Sequence, residues 1–377
     1  MTKKRNEKSK IRAEFRKKHD QRGRKTNFTK DYAADESQLE DASSGERISG
    51  KGRLTRKRTV IGQADSSARS GFQVELNVDS QTNLAGRALR VSGLNSIVRT
   101  EQGDFECATR GLLKSLATDL QNVVVAGDFV TIEPGGGKQA VITRVEPRRN
   151  TISRTSKGKQ QIIASNVDLS VIVSSAAQPD IKPNLIDRLL MSAEKMGVQP
   201  VVVINKIDLI DPADLMPLAG VWSQLGYPVH FVSARTGQGM ERLRNLLRNR
   251  ESVVNGQSGV GKSSLLNAID PALQRRVGEV SLENEKGKHT TTLAELIPLS
   301  FGGYIIDTPG IRQFQLWDIV AAEVDGLFRD FRPYTHRCRF PDCTHSHEDD
   351  CAVKSAVADG LIDPRRYDSY CQIRSDL

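Results

Sequence analysis

Three short motifs carry the side chains with chemistry to do. Gly256-Gln257-Ser258-Gly259-Val260-Gly261-Lys262-Ser263 fits G-x-x-x-x-G-K-[ST]; it follows the apolar pair Val253-Val254 and opens a helical stretch at Ser264-Leu265-Leu266. Glycines at these places let the backbone wrap close to phosphates, so that successive N–H groups and the helix N-terminus face negative charge. Lys262 is expected to reach the β- and γ-phosphates of a nucleoside triphosphate, and the Ser263 hydroxyl to ligate the accompanying Mg²⁺. Asn205-Lys206-Ile207-Asp208, at the end of the apolar run Val201 to Ile204, is a base-reading motif. The Asp208 carboxylate can accept from both N1–H and the exocyclic amine of guanine, while the Lys206 stem lies along the base and Asn205 braces the loop. Adenine has no N1 donor, and a site that leaves a buried carboxylate unpaired rejects the wrong base by ~10⁴-fold or more. Ser233-Ala234 closes the next strand, where a backbone N–H is placed to meet guanine O6.

The third motif, Asp307-Thr308-Pro309-Gly310, follows the apolar strand Tyr304-Ile305-Ile306. Asp307 is expected to hold a Mg²⁺-bound water and the Gly310 N–H to sense the γ-phosphate. Between these motifs lies Lys286-Gly287-Lys288-His289-Thr290-Thr291-Thr292, where one of three threonines completes the metal shell. Spacing does not say which; Thr291, the central one, is taken as the site residue. Ile311 stands where a small GTPase of the Ras type carries a water-orienting Gln, and an isoleucine cannot orient water. His289, beside the threonines, is the candidate water-positioning residue, with a plain solvated side chain as the alternative. Lys262, Asp307 and His289 are thus the expected catalytic set.

The order of these motifs is unusual. In ordinary small GTPases the phosphate loop comes first and N-K-x-D last, yet here N-K-I-D at 205 precedes the phosphate loop at 256 and D-T-P-G at 307. The last asparagine is Asn284, so nothing after Gly310 can supply a second base-reading loop. The domain must be circularly permuted, which keeps the site intact because the same strands still pair.

Downstream, Cys338-x4-Cys343-x-His345-x5-Cys351 offers three thiolates and an imidazole, a closed tetrahedral set suited to one structural zinc. His347 is the rival fourth ligand, and reduced, partly buried cysteines with no metal are the alternative. The count of five cysteines is odd and argues against a disulfide framework; Cys107 and Cys371 read as lone thiols.

The elements that position these residues follow from the patterning. From residue 162 apolar runs alternate with helical stretches, as in VDLSVIVSS, LIDRLLMSAEKMG, PVVVINKIDL, LMPLAGVWSQLG, YPVHFVSA and GMERLRNLLRN. Such alternation means a mainly parallel sheet covered on both faces, with the nucleotide at the carboxyl ends of the strands. Residues 82–148 read instead as short strands split by Gly-Asp and Gly-Gly-Gly turns. The period-2 pairs Val130 with Ile132, and Val141 with Val145 across Thr143, suit a five-stranded oligonucleotide-binding barrel. Aromatics are few there, Phe105 and Phe129 being the obvious ones, so a plain scaffold is the alternative to base stacking. Residues 149–161 are polar and basic and read as a linker. The expected fold is therefore multidomain α/β: a basic disordered tail over 1–70, an OB-like β-barrel over 82–148, a circularly permuted P-loop GTPase domain over 162–330, and a small zinc-binding domain over 331–377.

Charge is concentrated at the N-terminus. The 377 residues carry 55 Lys and Arg against 46 Asp and Glu, a net +9, while residues 1–60 alone hold 19 basic and 9 acidic residues, a net +10. Such an arm either docks on a polyanion such as RNA, whose counterions are released, or serves as a solubilising extension. Mean hydropathy is −0.44, no run approaches the ~18 apolar residues of a spanning helix, and the N-terminus lacks the apolar core of a signal peptide. A cytoplasmic location with no membrane role is expected.

From about Gly86 to the C-terminus, N-K-I-D before G-Q-S-G-V-G-K-S-S before D-T-P-G, preceded by a small barrel and followed by C-x4-C-x-H-x5-C, closely resembles the RsgA family of ribosome small-subunit-dependent GTPases. The resemblance implies a GTPase that binds the small ribosomal subunit late in its maturation, with hydrolysis stimulated by the subunit and release after GDP forms. It implies guanine binding by Asn205, Lys206 and Asp208, phosphate and Mg²⁺ binding over Gly256 to Ser263, zinc at Cys338, Cys343, His345 and Cys351, and ribosomal RNA gripped by the barrel and the zinc module. A monomer is the simplest expectation. Two other classes compete: an RNA-binding P-loop ATPase or small-molecule kinase, which Asp208 disfavours, and a non-hydrolysing RNA-binding zinc protein, which intact Lys262, Ser263 and Asp307 disfavour.

Overall fold

A computed structural model of the chain describes residues 9–14, 57–64, 72–74, 83–92, 95–109, 123–156, 159–273, 294–307 and 319–377. The chain divides into two units, residues 1–78 and 79–377. In the first, β1 (Ser9–Glu14), β2 (Lys57–Ala64) and β3 (Phe72–Val74) form an antiparallel sheet in that order.

The second unit opens with five strands: β4 (Leu84–Ser92), β5 (Asn95–Thr100), β6 (Gly103–Thr109), β7 (Phe129–Gly136) and β8 (Gln139–Val145). They pair in the order β4-β5-β6-β8-β7, β7 closes back on β4, and β6–β8 is the one parallel pairing of the five, an OB-like barrel. Its core holds Ala88, Val98, Phe105, Val130, Ile132 and Ile142. Val130 and Ile132 point inward as their alternation predicts, but Val141 does not: it is exposed, and Ala140, Ile142 and Thr143 are buried instead. The cause is an irregularity in the β7–β8 ladder, where Thr131 pairs with Arg144 and Ile132 with Ile142, leaving Thr143 without a cross-strand partner. Its hydroxyl donates to the Thr131 carbonyl at 3.2 Å.

The polar segment 149–161 is not a linker. β9 (Thr151–Ser156) and β10 (Lys159–Ser165) pair as an antiparallel hairpin. Ile152 and Ala164 from this hairpin pack with Leu89 and Ala126 of the barrel and with Val253, Leu296 and Ile306 of the following sheet. Its few apolar residues are thus spent on one contact, which composition alone reads as polarity.

Six strands make the next part of the sheet: β11 (Leu169–Ser175), β12 (Gln199–Asn205), β13 (Val229–Phe231), β14 (Glu251–Asn255), β15 (Glu295–Pro298) and β16 (Tyr304–Asp307). The order is β13-β12-β11-β14-β16-β15, parallel except for β15, and β15 pairs with barrel strand β4, so one sheet runs through both modules. Every residue of β11 is buried, as expected for a strand covered on both faces. The covering helices include α1 (Pro183–Met196), α2 (Met216–Gln224), α3 (Met240–Leu247) and α4 (Lys262–Ile269). The register sets Ser175 beside Asn205, Ile172 beside Asn255 and Val253 beside Ile306. The carboxyl ends of β12, β14 and β16, where the three motifs begin in the sequence, therefore lie at the same end of the sheet. An ion pair ties the barrel to this sheet: Arg87 lies 2.9 Å from Glu251, the first residue of β14, and burial pushes the Glu251 carboxyl up to about 7, with Asp168 adding to the shift.

The C-terminal module comprises α5 (Val324–Leu327), α6 (Arg332–Thr335), α7 (Ala352–Ala358) and α8 (Pro364–Ser375), around a core of Phe328, Phe331, Val353, Tyr370 and Ile373. Met191 of α1 joins that core, so the module is seated on the helix that precedes β12. Arg366 is buried there between Asp187 of α1, at 2.7 Å, and Asp330, at 2.8 Å, and the Trp222 indole N–H donates to Asp187 at 2.8 Å. Burial raises the Asp187 carboxyl against the opposing pull of Arg366. Removing one member of such a buried network costs about 3–5 kcal/mol, because the partner charge stays desolvated. Arg329 and Arg332 both reach Glu194 on the rim of the same contact.

Candidate functional site

The base-reading loop and the phosphate loop interlock. Asn205, buried at the end of β12, donates through Nδ2 to the Val260 carbonyl at 3.0 Å and accepts the Ala234 N–H on Oδ1 at 3.1 Å. Lys206, in the left-handed backbone region at φ 63°, turns its ammonium onto the Gly259 carbonyl at 2.7 Å and onto the Gln178 carbonyl. One asparagine thus holds three loops together: its own, the phosphate loop and the Ser233-Ala234 loop. The contact has no room to spare. Gly261 sits at φ 90°, and a Cβ there would come within 2.6 Å of Asn205 Nδ2. Gly256, at φ 148°, would place a Cβ 2.1 Å from the Val173 carbonyl oxygen on the neighbouring strand. Both glycines are demanded by close backbone approach as well as by φ.

Within the phosphate loop, Lys262 begins α4 and donates to the carbonyls of Gly256 at 2.8 Å and Gln257 at 2.7 Å, so its ammonium bridges the loop. Val260 is buried beneath the loop, Ser258 and Gly259 are exposed, and the Ser263 and Ser264 side chains are exposed at the helix start. Asp307 ends β16 on the strand next to β14. Serine hydroxyls and aspartate carboxylates are as residue types hard oxygen donors of the kind Mg²⁺ takes. His289, Thr290, Thr291, Thr292, Gly310 and Ile311 lie outside the described residues.

Asp208 follows buried Ile207 in the 3₁₀ turn after Lys206, and its carboxylate already has partners. Ser233 donates its hydroxyl to Oδ1, and Arg235 brings Nε to 2.8 Å and a terminal nitrogen to 2.6 Å of Oδ2. These bonds to the charged form hold the carboxyl below its ordinary range, Ser233 contributing most. The Ala234 N–H, expected at guanine O6, is engaged by Asn205, so O6 would share that donor.

The second cluster lies in the C-terminal module. The ligand atoms of Cys338, Cys343, His345 and Cys351 all fall within 4.8 Å of one another. His345 Nδ1 is 3.5 Å from the Cys338 sulfur and 3.4 Å from the Cys351 sulfur, which are 3.9 Å apart. Bond lengths of about 2.3 Å to sulfur and about 2.0 Å to nitrogen give tetrahedral edges of about 3.8 Å and about 3.5 Å, so these residues fit zinc. His345 is the inward-facing histidine, in the left-handed region at φ 56°; His347 is 83% exposed and turned to Glu348. His345 Nε2, buried with no hydrogen-bond partner, faces Asp325 at 3.7 Å, the arrangement in which an outer carboxylate orients a ligating imidazole. Tyr367 and Tyr370 hydroxyls fix the loop by donating to the His345 and Thr344 carbonyls, each at 2.7 Å. Cys107 is a core residue of the barrel, where burial pushes its thiol up to about 11.

Comparison with known proteins agrees with this geometry. The RsgA GTPase family pattern matches residues 145–317. A Gemmatimonas aurantiaca protein named small ribosomal subunit biogenesis GTPase RsgA is 41% identical over 302 residues, covering 78% of this chain and 98% of the relative. The chain belongs to the RsgA GTPase family. Two solved structures share its fold: YjeQ from Thermotoga maritima, with a TM-score of 0.65 and 34% identity over 78% of this chain and 98% of that one, and YloQ, described as a circularly permuted GTPase, with a TM-score of 0.62 and 28% identity over 80% and 97%. The chain is a GTP hydrolase of this family with a barrel, a permuted nucleotide domain and a C-terminal Cys/His cluster.

Two residues of consequence escaped the sequence reading. Asp325 precedes Cys338 by 13 positions at no spacing that marks an outer partner. Arg235 directly follows Ser233-Ala234, and that adjacency to the loop beside Asp208 was the available signal.

Proposed function

We propose that this chain is a cytoplasmic GTPase of small ribosomal subunit maturation whose hydrolysis is stimulated by the subunit. The observation that carries the reading is the pair of bonds from Asn205 and Lys206 to Val260 and Gly259, which makes one pocket from residues 55 and 53 positions apart in sequence. In it, Asp208 accepts from the N1–H and exocyclic amine of guanine, the Lys206 stem flanks the base, the Ser233 hydroxyl braces the carboxylate, and buried Ile207 anchors the turn. Backbone amides from Gly256 to Ser264 and the Lys262 ammonium face the phosphates. Ser263, Asp307 and a switch threonine, Thr291 in our assignment, would hold Mg²⁺, which when bound neutralises charge on the β- and γ-phosphate oxygens. Gly310 senses the γ-phosphate. Cys338, Cys343, His345 and Cys351 would hold one structural zinc, which supplies folding energy to the C-terminal module and takes no part in hydrolysis. The basic arm, the barrel and the zinc module supply the contacts to ribosomal RNA, and the protein acts as a monomer.

With Ile311 in place of a water-orienting glutamine, turnover by the protein alone is expected on the order of 10⁻⁴ per second or below. The partner completes the site, with His289 positioning the attacking water. Phosphate release from GTP, followed against rising small-subunit concentration, should climb by at least about 10²-fold, the usual contribution of a positioned proton acceptor. His289→Ala should blunt that rise and leave nucleotide affinity unchanged. A rate indifferent to subunits would end the partner-stimulated reading, and full stimulation of the His289 variant would remove that residue from the mechanism.

A further inference from the structure

Asp208 is more heavily occupied than a base-reading carboxylate can afford. A carboxylate offers about four lone-pair directions. Ser233 takes one on Oδ1, while the Arg235 guanidinium covers Oδ2, with Nε hydrogen-bonded to it at 2.8 Å and a terminal nitrogen 2.6 Å away. One oxygen is thus covered by the guanidinium, whereas the guanine edge, with its N1–H and exocyclic N–H side by side, needs both. The competing group is also chemically matched. The Nε–Cζ–N edge of a guanidinium presents the same adjacent donor pair, at the same spacing, as the N1–C2–N2 edge of guanine. The Arg235 side chain is 72% exposed whereas Asp208 is 9% exposed, so the arginine can swing into water and leave the carboxylate in place.

We propose that Arg235 is an affinity-setting residue that competes with guanine for Asp208 by imitating the base edge. The inference rests on Asp208 being the base reader. Pocket and arginine then form a two-state system: with Arg235 on Asp208 the pocket does not accept guanine, and with Arg235 in water it does. Apparent affinity is the intrinsic affinity multiplied by the fraction of molecules in the second state. Because the competition takes place before the base docks, it slows association and leaves dissociation alone. An exposed arginine–carboxylate pair is a modest contact, so the competent fraction is about one in three to one in five.

The test is stopped-flow association and dissociation of GDP carrying a fluorophore on its ribose, with the full-length protein and its Arg235→Ala, Arg235→Gln, Asp208→Asn and Asp208→Asn/Arg235→Ala variants. The expected result is an association rate about three- to fivefold higher in both Arg235 single variants, an unchanged dissociation rate, and a gain that shrinks as salt is raised. In the Asp208→Asn background, removing Arg235 should give no such gain, which separates competition at the carboxylate from any general effect of the charge on an anionic ligand. An unchanged or lower association rate in the Arg235 single variants, an effect confined to dissociation, or an equal gain in the Asp208→Asn background would overturn the proposal. The two layers fail separately. If Asp208→Asn leaves GDP binding intact, the base-reading assignment is wrong; if it weakens GDP binding and the Arg235 variants associate no faster, only the competitor role is lost.

Discussion

Asp208→Asn is expected to weaken GTP binding by roughly 10²- to 10⁴-fold and to confer binding of xanthosine triphosphate. Two hydrogen bonds from guanine to an ionised acceptor contribute about 1.5–3 kcal/mol each, and the asparagine amide turns one of these attractions into a donor facing a donor. Xanthine carries a carbonyl oxygen where guanine has its exocyclic amine, so the same amide that repels guanine donates to xanthine, while Oδ1 still accepts N1–H. The substitution is close to isosteric, and the Ser233 hydroxyl that braces Oδ1 can do the same for the amide oxygen. Loss of GTP binding with gain of xanthine nucleotide binding therefore reports base reading and not collapse of the loop. Equilibrium titration with both nucleotides is the check; an unchanged preference for GTP would mean that another group reads the base.

The second large effect concerns the Cys/His cluster. Wild-type protein purified without chelator should carry about one equivalent of zinc, and Cys351→Ser should carry less than about a tenth of that. Cys351 is buried at the start of α7, and its neighbours in the core are Val353, Phe331 and Tyr370. Without the metal, burial holds the Cys343 thiol up at about 12, so that ligand becomes a protonated group with no ion to hold. The aromatic core of Phe328, Phe331 and Tyr370 remains to hold part of the module, which keeps the loss below that of a free zinc finger. The unfolding midpoint should drop by about 10 °C, in line with loss of a structural metal site from a domain of this size. Metal analysis and calorimetry measure the two quantities; a full equivalent of zinc in the variant would remove Cys351 from the ligand set.

The parts of the site that were legible in the sequence are those whose chemistry is local. The phosphate loop must place glycines at fixed offsets because the backbone itself is the binding surface. Gly256 and Gly261, each with another group inside the space of a side chain, show why spacing alone located it. Cys338, Cys343, His345 and Cys351 were legible for a related reason, since a tetrahedral ion accepts only a few donor types at short separations. Choosing between His345 and His347 was not possible from spacing, because it depends on a left-handed turn at His345 and on two tyrosines 22 and 26 residues downstream of the carbonyls they hold. The permuted domain was legible because N-K-x-D can occur in only one place in the chain.

What stayed hidden depends on long-range packing. The hairpin at 151–165 looks like a linker because Ile152 and Ala164 gain their meaning only against Leu89 and Ile306. Val141 was read as a core residue because alternation carries no information about the irregularity that turns Thr143 inward. Arg366, among the most deeply buried charges of the described chain, is an ordinary arginine in the sequence until Asp187, 179 residues earlier, is brought against it. That contact seats the C-terminal module on the helix leading into the base-reading strand, so the module and the pocket share an element that no motif reveals.

The most direct test of the account is competitive binding of GTP and ATP to the purified full-length protein, measured at equilibrium with Mg²⁺ present. A pocket in which Asp208 reads the base and the loop around Lys262 holds the phosphates should take GTP at least about 10³-fold more tightly than ATP. Equal affinity for the two nucleotides, or no measurable binding of either, would contradict it.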